Sequence, residues 1–449
     1  MREELLEKAQ YKNNEEREEL KNYFTQPSDM DMTKKTIVFS TPSETGTSYF
    51  RLFEPLKALW KAFPEEANYL YTENIQPNHM KIADTIIMHR CGNLHSHFLS
   101  VARMWPRTER RPFIIHDADD NEFNLPDTHP MKELWVESGK DKMSIQSLKH
   151  SDVITTTTEK LKKTFGNFND NVEVFRNQFD WDLPMWNMDK NEVRKEMMPE
   201  WFPTDDKIIV GWAGLTSHFE DIRRMHSIIK AIHDKHPNTY FVLAGMALKD
   251  SHVEISEDEK GEKQFKEIAI EDEKLLYKNR INEMYNDLDP KRFKTFDALP
   301  LEEYAKFNAL FDISLAYVEH SAFSSCKSEI KVIEALHYGA IPVFSEYGGY
   351  KDFWREAPDR VKHKNMAIGI QSPGPWIKAV SHWVENFEEG KKRAATLKEY
   401  SDDIYDINKH CEERLSYYLE KSEDFKEAQI NMIAQYVDYS GEGDDKYIR

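Results

Sequence analysis

Lys327 and Ser328 stand just before a run of apolar residues at helical spacing, Ile330, Val332, Ile333, Ala335 and Leu336, with Glu334 set among them. An ammonium group and a hydroxyl at a helix start, next to free backbone N–H groups and the positive end of the helix dipole, suit a phosphate. Glu334 follows Lys327 by seven positions, so it returns to roughly the same helix face. A carboxylate two turns below a phosphate can accept hydrogen bonds from ribose hydroxyls. Spacing alone leaves a plain amphipathic helix, with a solvated Lys and Glu, equally open.

The elements that position these groups read as a helix opening at Lys327, Gly339 as its C-cap, a short apolar strand from Ile341 to Phe344, and a Gly348-Gly349 turn. The same strand, loop and helix alternation occurs earlier. Residues 36–40 form an apolar strand, 41–48 a small-residue loop, and 49–63 an amphipathic helix with Phe50, Phe53, Leu56, Leu59, Trp60 and Phe63 inward. Residues 84–90 make a strand ending in His89 and Arg90, which face either a ligand crevice or solvent. A strand at 113–115 delivers His116, Asp117, Asp119 and Asp120. So many polar groups repel one another if all are ionised and buried, so they are exposed, meet a cation or accept hydroxyls. Metal binding, sugar or acceptor binding, and helix capping all stay open for them. A strand at 208–212 runs into Gly214, Thr216, Ser217 and His218, where a diphosphate can lie at a strand end.

The stretch from 327 to 350 resembles the donor-nucleotide motif of retaining glycosyltransferases of the GT-B architecture, the glycosyltransferase group 1 or glycogen synthase type, family-four-like. Its succession of residues appears here as Glu334, Ala335, Gly339, Pro342, Val343, Gly348 and Gly349. Gly46, Thr47, Ser48 and Tyr49, with Arg51 displaced by one, resemble the first strand-loop-helix of that family and put Thr47 and Ser48 near the donor phosphate. Trp212, Gly214, His218 and Asp221, together with Phe323, Lys327 and Ser328, match a phage and bacterial branch, as do the two aspartates at 119–120 followed by Phe123. By that resemblance the aspartates bind acceptor or sugar, and no obligatory metal is expected. It implies an α/β fold of two Rossmann-like domains facing across a cleft, with C-terminal helices crossing back to the first domain. The residue assignments it implies are His116, Asp119, Lys327 and Lys331 at the reaction centre, and Gly46, Thr47, Gly214, His218, Leu299, Ser328 and Glu334 around the nucleotide-sugar. Ala298 and Leu299 would meet the base through their backbone.

Two departures stand out. Cys326 occupies the position where the commonest form of the motif has a second Glu, and a thiol cannot accept hydrogen bonds as a carboxylate does. No Arg or Lys lies between 211 and 222, where many such enzymes neutralise the leaving diphosphate. Lys327, Lys331, Arg223 or His218 must then supply that charge.

Lys and Arg total 61 against 80 Asp and Glu, a net charge of −19 that disfavours nucleic acid and anionic lipid unless basic residues cluster, as RTERR at 107–111 and KKTF at 162–165 allow. Three cysteines form no metal or disulfide spacing, and no run of about 18 apolar residues occurs, so a cytoplasmic protein without a membrane span is expected. The 449 residues divide into a helical extension at 1–34, an acceptor domain at 35–195, a nucleotide-sugar domain at 205–375 and C-terminal helices at 376–449. A charged stretch at 249–290 reads as an exposed insertion. The expected activity is transfer of a sugar, from a UDP-sugar by preference, to a hydroxyl of a surface glycan or, in a phage, of a hydroxymethylated pyrimidine in DNA. The alternative is a non-catalytic nucleotide-sugar or carbohydrate-binding protein on the same scaffold.

Overall fold

The computed structural model describes residues 30–441 apart from 42–45, 74, 91–109, 128, 130–131, 216–217, 247–250, 258–262 and 273. The expected helix at 1–24, Thr216, Ser217 and most of RTERR lie outside the described residues. The rest falls into two compact units. The first contains the described residues up to Phe123, Gly139–Asp180 and those from Tyr405 on; the second contains Asn124–Ser138 and Trp181–Ile404.

The first unit is built on β1 (Lys35–Ser40), β2 (Ala67–Thr72), β3 (Thr85–His89), β4 (Phe113–Asp117), β5 (Val153–Thr156) and β6 (Val172–Val174). They form one six-stranded sheet in the order β2-β1-β3-β4-β5-β6, with every pairing parallel. Strands covered on both faces read as unbroken apolar runs, and Ile37, Val38, Phe39, Ile86, Ile87, Met88, Ile114 and Ile115 are all buried. Helix α1 (Glu54–Ala62) packs Leu56, Ala58 and Leu59 into this core.

The second unit holds β7 (Ile208–Ala213), β8 (Thr239–Met246), β11 (Phe293–Asp297), β12 (Ile313–Ala316), β13 (Ile341–Ser345) and β14 (Ala367–Ile368). Its order, β11-β8-β7-β12-β13-β14, is the doubly wound order of a dinucleotide-binding sheet. Between β8 and β11 the charged insertion forms an antiparallel hairpin, β9 (Ser251–Glu257) with β10 (Lys263–Ala269), followed by a helix at Tyr277–Met284. Helices α2 (Phe219–Lys235), α3 (Ile330–His337), α4 (Pro373–Glu385) and α5 (Phe387–Ile404) complete the unit.

Three features differ from the sequence reading. The stretch at 182–205 lacks clean periodicity, yet it contains a helix at Lys190–Met197 and packs Val193, Met198 and Trp201 on the second core. The stretch at 124–138 joins the second unit, inside the span expected for the first domain. Helices α4 and α5 stay on the second unit, and only α6 (Ile407–Gly441) joins the first, where Ile407, Cys411, Leu415 and Tyr418 meet β1, β3 and β4. An apolar stripe announces a buried face without saying which sheet buries it, and that is why the 376–449 stretch could not be divided from sequence.

No helix among the described residues is long and apolar enough to cross a membrane.

Candidate functional site

In the second sheet the strand order reverses between β7 and β12, and the crevice outside the carboxyl ends of strands at such a point is where open α/β sheets take ligands. The chain leaves β7 through Gly214 and Leu215 to His218 at the start of α2, and leaves β12 through Tyr317, Val318 and Glu319. A pocket of about 440 Å³ opens there, lined by His218, Glu220, Asp221, Glu319, Phe323 and Lys327 among others.

Helix α3 begins at Ile330, three residues later than expected, and Lys327 and Ser328 form the extended approach to it. The Lys327 ammonium rests 4.4 Å from the centre of the Phe323 ring. Its carbonyl accepts a 3.2 Å hydrogen bond from the Gly349 N–H. Gly348 makes that approach possible. Its φ of 57° and ψ of −139° lie where side chains are strained, and a Cβ there would sit 2.6 Å from the Ser325 carbonyl oxygen. At the other end Gly339 has φ 74°, with Gly339 N–H on Leu336 O at 2.8 Å and Ala340 N–H on Ala335 O at 3.0 Å, a Schellman cap that turns the chain into β13.

Lys331 lies in the first turn of the helix. Its ammonium donates to the Ala213 carbonyl and sits 4.6 Å from the centre of the Trp212 ring. A Cβ on Gly214 would come within 2.4 Å of that nitrogen, so the glycine makes room for the lysine. The Gly214 N–H is committed to Ala244 O at 3.0 Å, so Gly214 acts here through its missing side chain and not as an N–H donor to a phosphate. Glu334, buried at 8% exposure, accepts the Tyr304 hydroxyl at 2.5 Å. Burial pushes its carboxyl up to about 7, with Tyr304 and Lys331 pulling against the shift. Burial likewise pulls the Lys331 ammonium down to about 8. Its neighbours include Glu334, Asp221 and Lys327, so two lysines and two buried carboxylates meet here.

The His218 Nδ1 lies 2.7 Å from Asp221 Oδ2, and Asp221 Oδ1 accepts the Glu319 N–H at 2.8 Å. Burial first, and then the charge of Lys331, holds the His218 imidazole down at about 4. It is therefore neutral at pH 7, which leaves Lys327 as the cationic side chain lining this pocket. Leu299 packs its side chain on the second core, and the Ala298 N–H is taken by Met246 O at 2.6 Å.

His116 and Asp119 lie together in the first unit, with Arg90, Glu122 and Ser144, around a pocket of about 280 Å³. Arg90 has φ 59°, an uncommon conformation for a side-chain-bearing residue, and its guanidinium reaches Asp119 at 3.7 Å, Asp120 at 3.8 Å and Glu122 at 3.7 Å. His89 Nε2 is 3.4 Å from Asp119. Burial works to raise the Asp119 carboxyl, but Arg90 and His89 outweigh it and hold the group well below the usual carboxylate range. Glu122 is pushed up to about 7 by burial. Asp117 is buried and held by a two-pronged contact from Arg51, Nε at 2.8 Å and Nη2 at 2.6 Å, and by Thr155 Oγ at 2.7 Å. Each aspartate thus has a cationic or hydroxyl partner within the protein, and no group of three or more His, Cys, Asp or Glu among the described residues is arranged to hold a metal.

Gly46 and Thr47 open a helical stretch at the carboxyl end of β1, in the same unit as His116 and Asp119, and a Cβ at Gly46 would meet nothing within 4 Å. The turn Tyr49–Phe53 that follows is a π-turn, closed by the Glu54 N–H on Tyr49 O. A π-turn takes one residue more than an α-turn, which is where the displaced Arg51 falls. The turn directs Arg51 inward to Asp117, and Ser48 is fully buried. Sequence reasoning did not find Tyr304 or Glu319, and it placed Arg90 at a strand end without its acidic partners. Only Asp221 carried a local signal, being three residues from His218 at a helix start.

No family model matches the sequence, and no curated protein sequence matches it. Solved structures do match the fold. HepE of Anabaena, in complex with UDP and glucose, superposes with a TM-score of 0.53 at 12% identity over 86% of this chain and 100% of that one. A glycosyltransferase of Rickettsia africae gives 0.54 at 12% over 86% and 98%. An α,α-trehalose 6-phosphate synthase of Burkholderia multivorans gives 0.54 at 9% over 88% and 98%. The chain therefore has the α/β fold of the GT-B glycosyltransferases.

Proposed function

We propose that this protein is a glycosyltransferase of the retaining, group 1 type, which moves a hexosyl group from a UDP-sugar to an acceptor hydroxyl. The observation that carries this reading is the meeting of Lys327, Lys331 and buried Glu334 at the strand-order reversal of a dinucleotide-type sheet. In this reading the two ammonium groups and the start of α3 stabilise the charge that grows on the departing diphosphate, the term on which such a reaction most depends. Glu334, which Tyr304 and Asn308 hold in place, is read as the acceptor for the ribose hydroxyls. Ser328 and the Gly214 loop border the phosphates. Gly46 and Thr47 border the donor phosphate, and His116 and Asp119 serve the sugar and acceptor, with Asp119 held ionised by Arg90 and no metal required. HepE has been solved with UDP-glucose and a trehalose-phosphate synthase is described as UDP-forming, which supports uridine as the base. The net charge of −19 favours a glycan acceptor over the hydroxymethylated pyrimidine of a phage DNA.

Binding without transfer is the rival. It is favoured by Cys326, which is 1% exposed and holds no carboxylate where a sugar-binding Glu is usual. A panel of UDP-, GDP- and ADP-sugars separates the two. Release of UDP with a glycosylated product supports transfer, binding without product supports the rival, and no binding of any nucleotide rejects both. A shift assay with hydroxymethylated duplex DNA at two salt concentrations tests the DNA acceptor.

A further inference from the structure

The pocket beside Lys327 carries more information than the phosphate contacts use. Its lining includes three carboxylate side chains, Glu220, Asp221 and Glu319, two imidazoles, His129 and His218, and a single ammonium, Lys327. Arg224 is shared between Glu220 at 3.0 Å and Glu319 at 2.7 Å, and Arg223 is paired with Glu220, so neither guanidinium is spare for a ligand. Asp221 is fixed from both sides, by the Glu319 N–H on one oxygen and by His218 on the other. Because a carboxylate can only accept, the His218 Nδ1 must carry the proton. The other ring nitrogen, Nε2, then holds a lone pair, and the ring lines the pocket. Trp212, with its ring centre 5.8 Å from that of His218, backs the imidazole.

We infer that the Asp221-held His218 accepts a hydrogen bond from a hydroxyl of the donor's sugar, and that the pocket selects a neutral hexose over a hexuronate. This rests on the proposed function, because the sugar is taken to sit next to the diphosphate that Lys327 binds. A carboxylated sugar would bring a fourth carboxylate to a wall whose guanidiniums, Arg223 and Arg224, are already taken up by Glu220 and Glu319 and whose ammonium faces the phosphates. It would also meet a lone pair at His218 where it needs a donor. A hydroxyl satisfies that lone pair and adds no charge. The imidazole is suited to this role because burial and Lys331 keep it neutral.

Calorimetry on the full-length protein with UDP, UDP-glucose and UDP-glucuronate tests the inference. The wild type is expected to bind UDP-glucose at least about tenfold more tightly than UDP-glucuronate. His218→Ala is expected to lower UDP-glucose affinity about three- to tenfold more than it lowers UDP affinity, the effect of losing one neutral hydrogen bond. A wild-type urea transition for the variant reports that it is folded. Glu319→Gln, which removes a charge from the wall, is expected to narrow the difference between glucose and glucuronate. Equal wild-type affinities for the two sugars, or a His218→Ala protein whose preference for UDP-glucose over UDP is unchanged, overturns the inference while leaving the proposed function standing. Failure of the wild type to bind UDP at all overturns the proposed function, and the inference with it.

Discussion

Replacing Gly348 by Ala puts a methyl group 2.6 Å from the Ser325 carbonyl oxygen, 3.0 Å from its carbon and 3.3 Å from Ser324 O, all backbone atoms that cannot swing aside. The backbone there has φ 57° and ψ −139°, a region that costs a side-chain-bearing residue about 1–3 kcal/mol before any clash is counted. Together these predict a loss of about 2–4 kcal/mol from the second unit. Relief comes only if the 324–327 loop moves, and that displaces Lys327. Loss of the charge-assisted contact proposed between Lys327 and a diphosphate, worth about 1.5–3 kcal/mol, should weaken UDP binding roughly 10- to 100-fold. Two other glycines calibrate the scale. Gly339 has φ 74° but open space around its Cβ position, so Gly339→Ala should cost only about 1 kcal/mol. Gly374 lies in the first turn of α4 with nothing within 4 Å and no positive φ, so Gly374→Ala should be neutral or stabilising by up to about 1 kcal/mol. Urea unfolding followed by tryptophan fluorescence, with UDP calorimetry on each variant, reads the series. A Gly348→Ala protein as stable as Gly374→Ala, with unchanged UDP affinity, refutes the packing argument.

Other outcomes follow from the same geometry. Arg51→Met strands Asp117 as an unpaired buried charge and should destabilise the first unit by about 3–5 kcal/mol, seen as an earlier urea transition, with UDP affinity unchanged; weakened UDP binding in a folded Arg51→Met protein contradicts the structural role. Glu334 has its folded value raised from 4.5 to about 7, so its contribution to stability is complete below pH 4.5 and is lost as the pH rises toward 7. Lys331 is lowered from 10.5 to about 8, so its penalty fades as the pH rises from 8 toward 10.5. The pair predicts a shallow stability minimum near pH 7–8, deep by about 1–3 kcal/mol, and Glu334→Gln should remove its acid side; a flat difference between wild type and Glu334→Gln from pH 5 to 7 counts against the assignment.

Much of the architecture is written locally. The central parallel strands are short apolar runs followed by small or polar residues, so the alternation at 36–63, 113–120 and 208–218 locates their ends and the groups that lie there. What is not local is pairing. Tyr304 meets Glu334 across 30 positions, Arg51 meets Asp117 across 66, and Glu319 meets Asp221 across 98. No periodicity reports such distances. That is why the aspartates at 117–120 admitted a metal reading that their arginine, histidine and threonine partners now oppose. The same limit explains His218: a histidine beside a phosphate loop reads as a cation until burial and Lys331 are known to keep it neutral. The helix at 190–197 was missed for another reason. It offers few apolar positions, and its place depends on Arg194 binding Leu310 O and Asp312.

Lys327 and Lys331 are proposed to hold a nucleoside diphosphate while Glu334 holds its ribose. UDP affinity of Lys327→Ala and Glu334→Ala, measured by calorimetry beside the wild type and Arg51→Met, tests it most directly. The account predicts at least a tenfold loss in each of the first two and none in Arg51→Met. Full affinity in both Lys327→Ala and Glu334→Ala would contradict it.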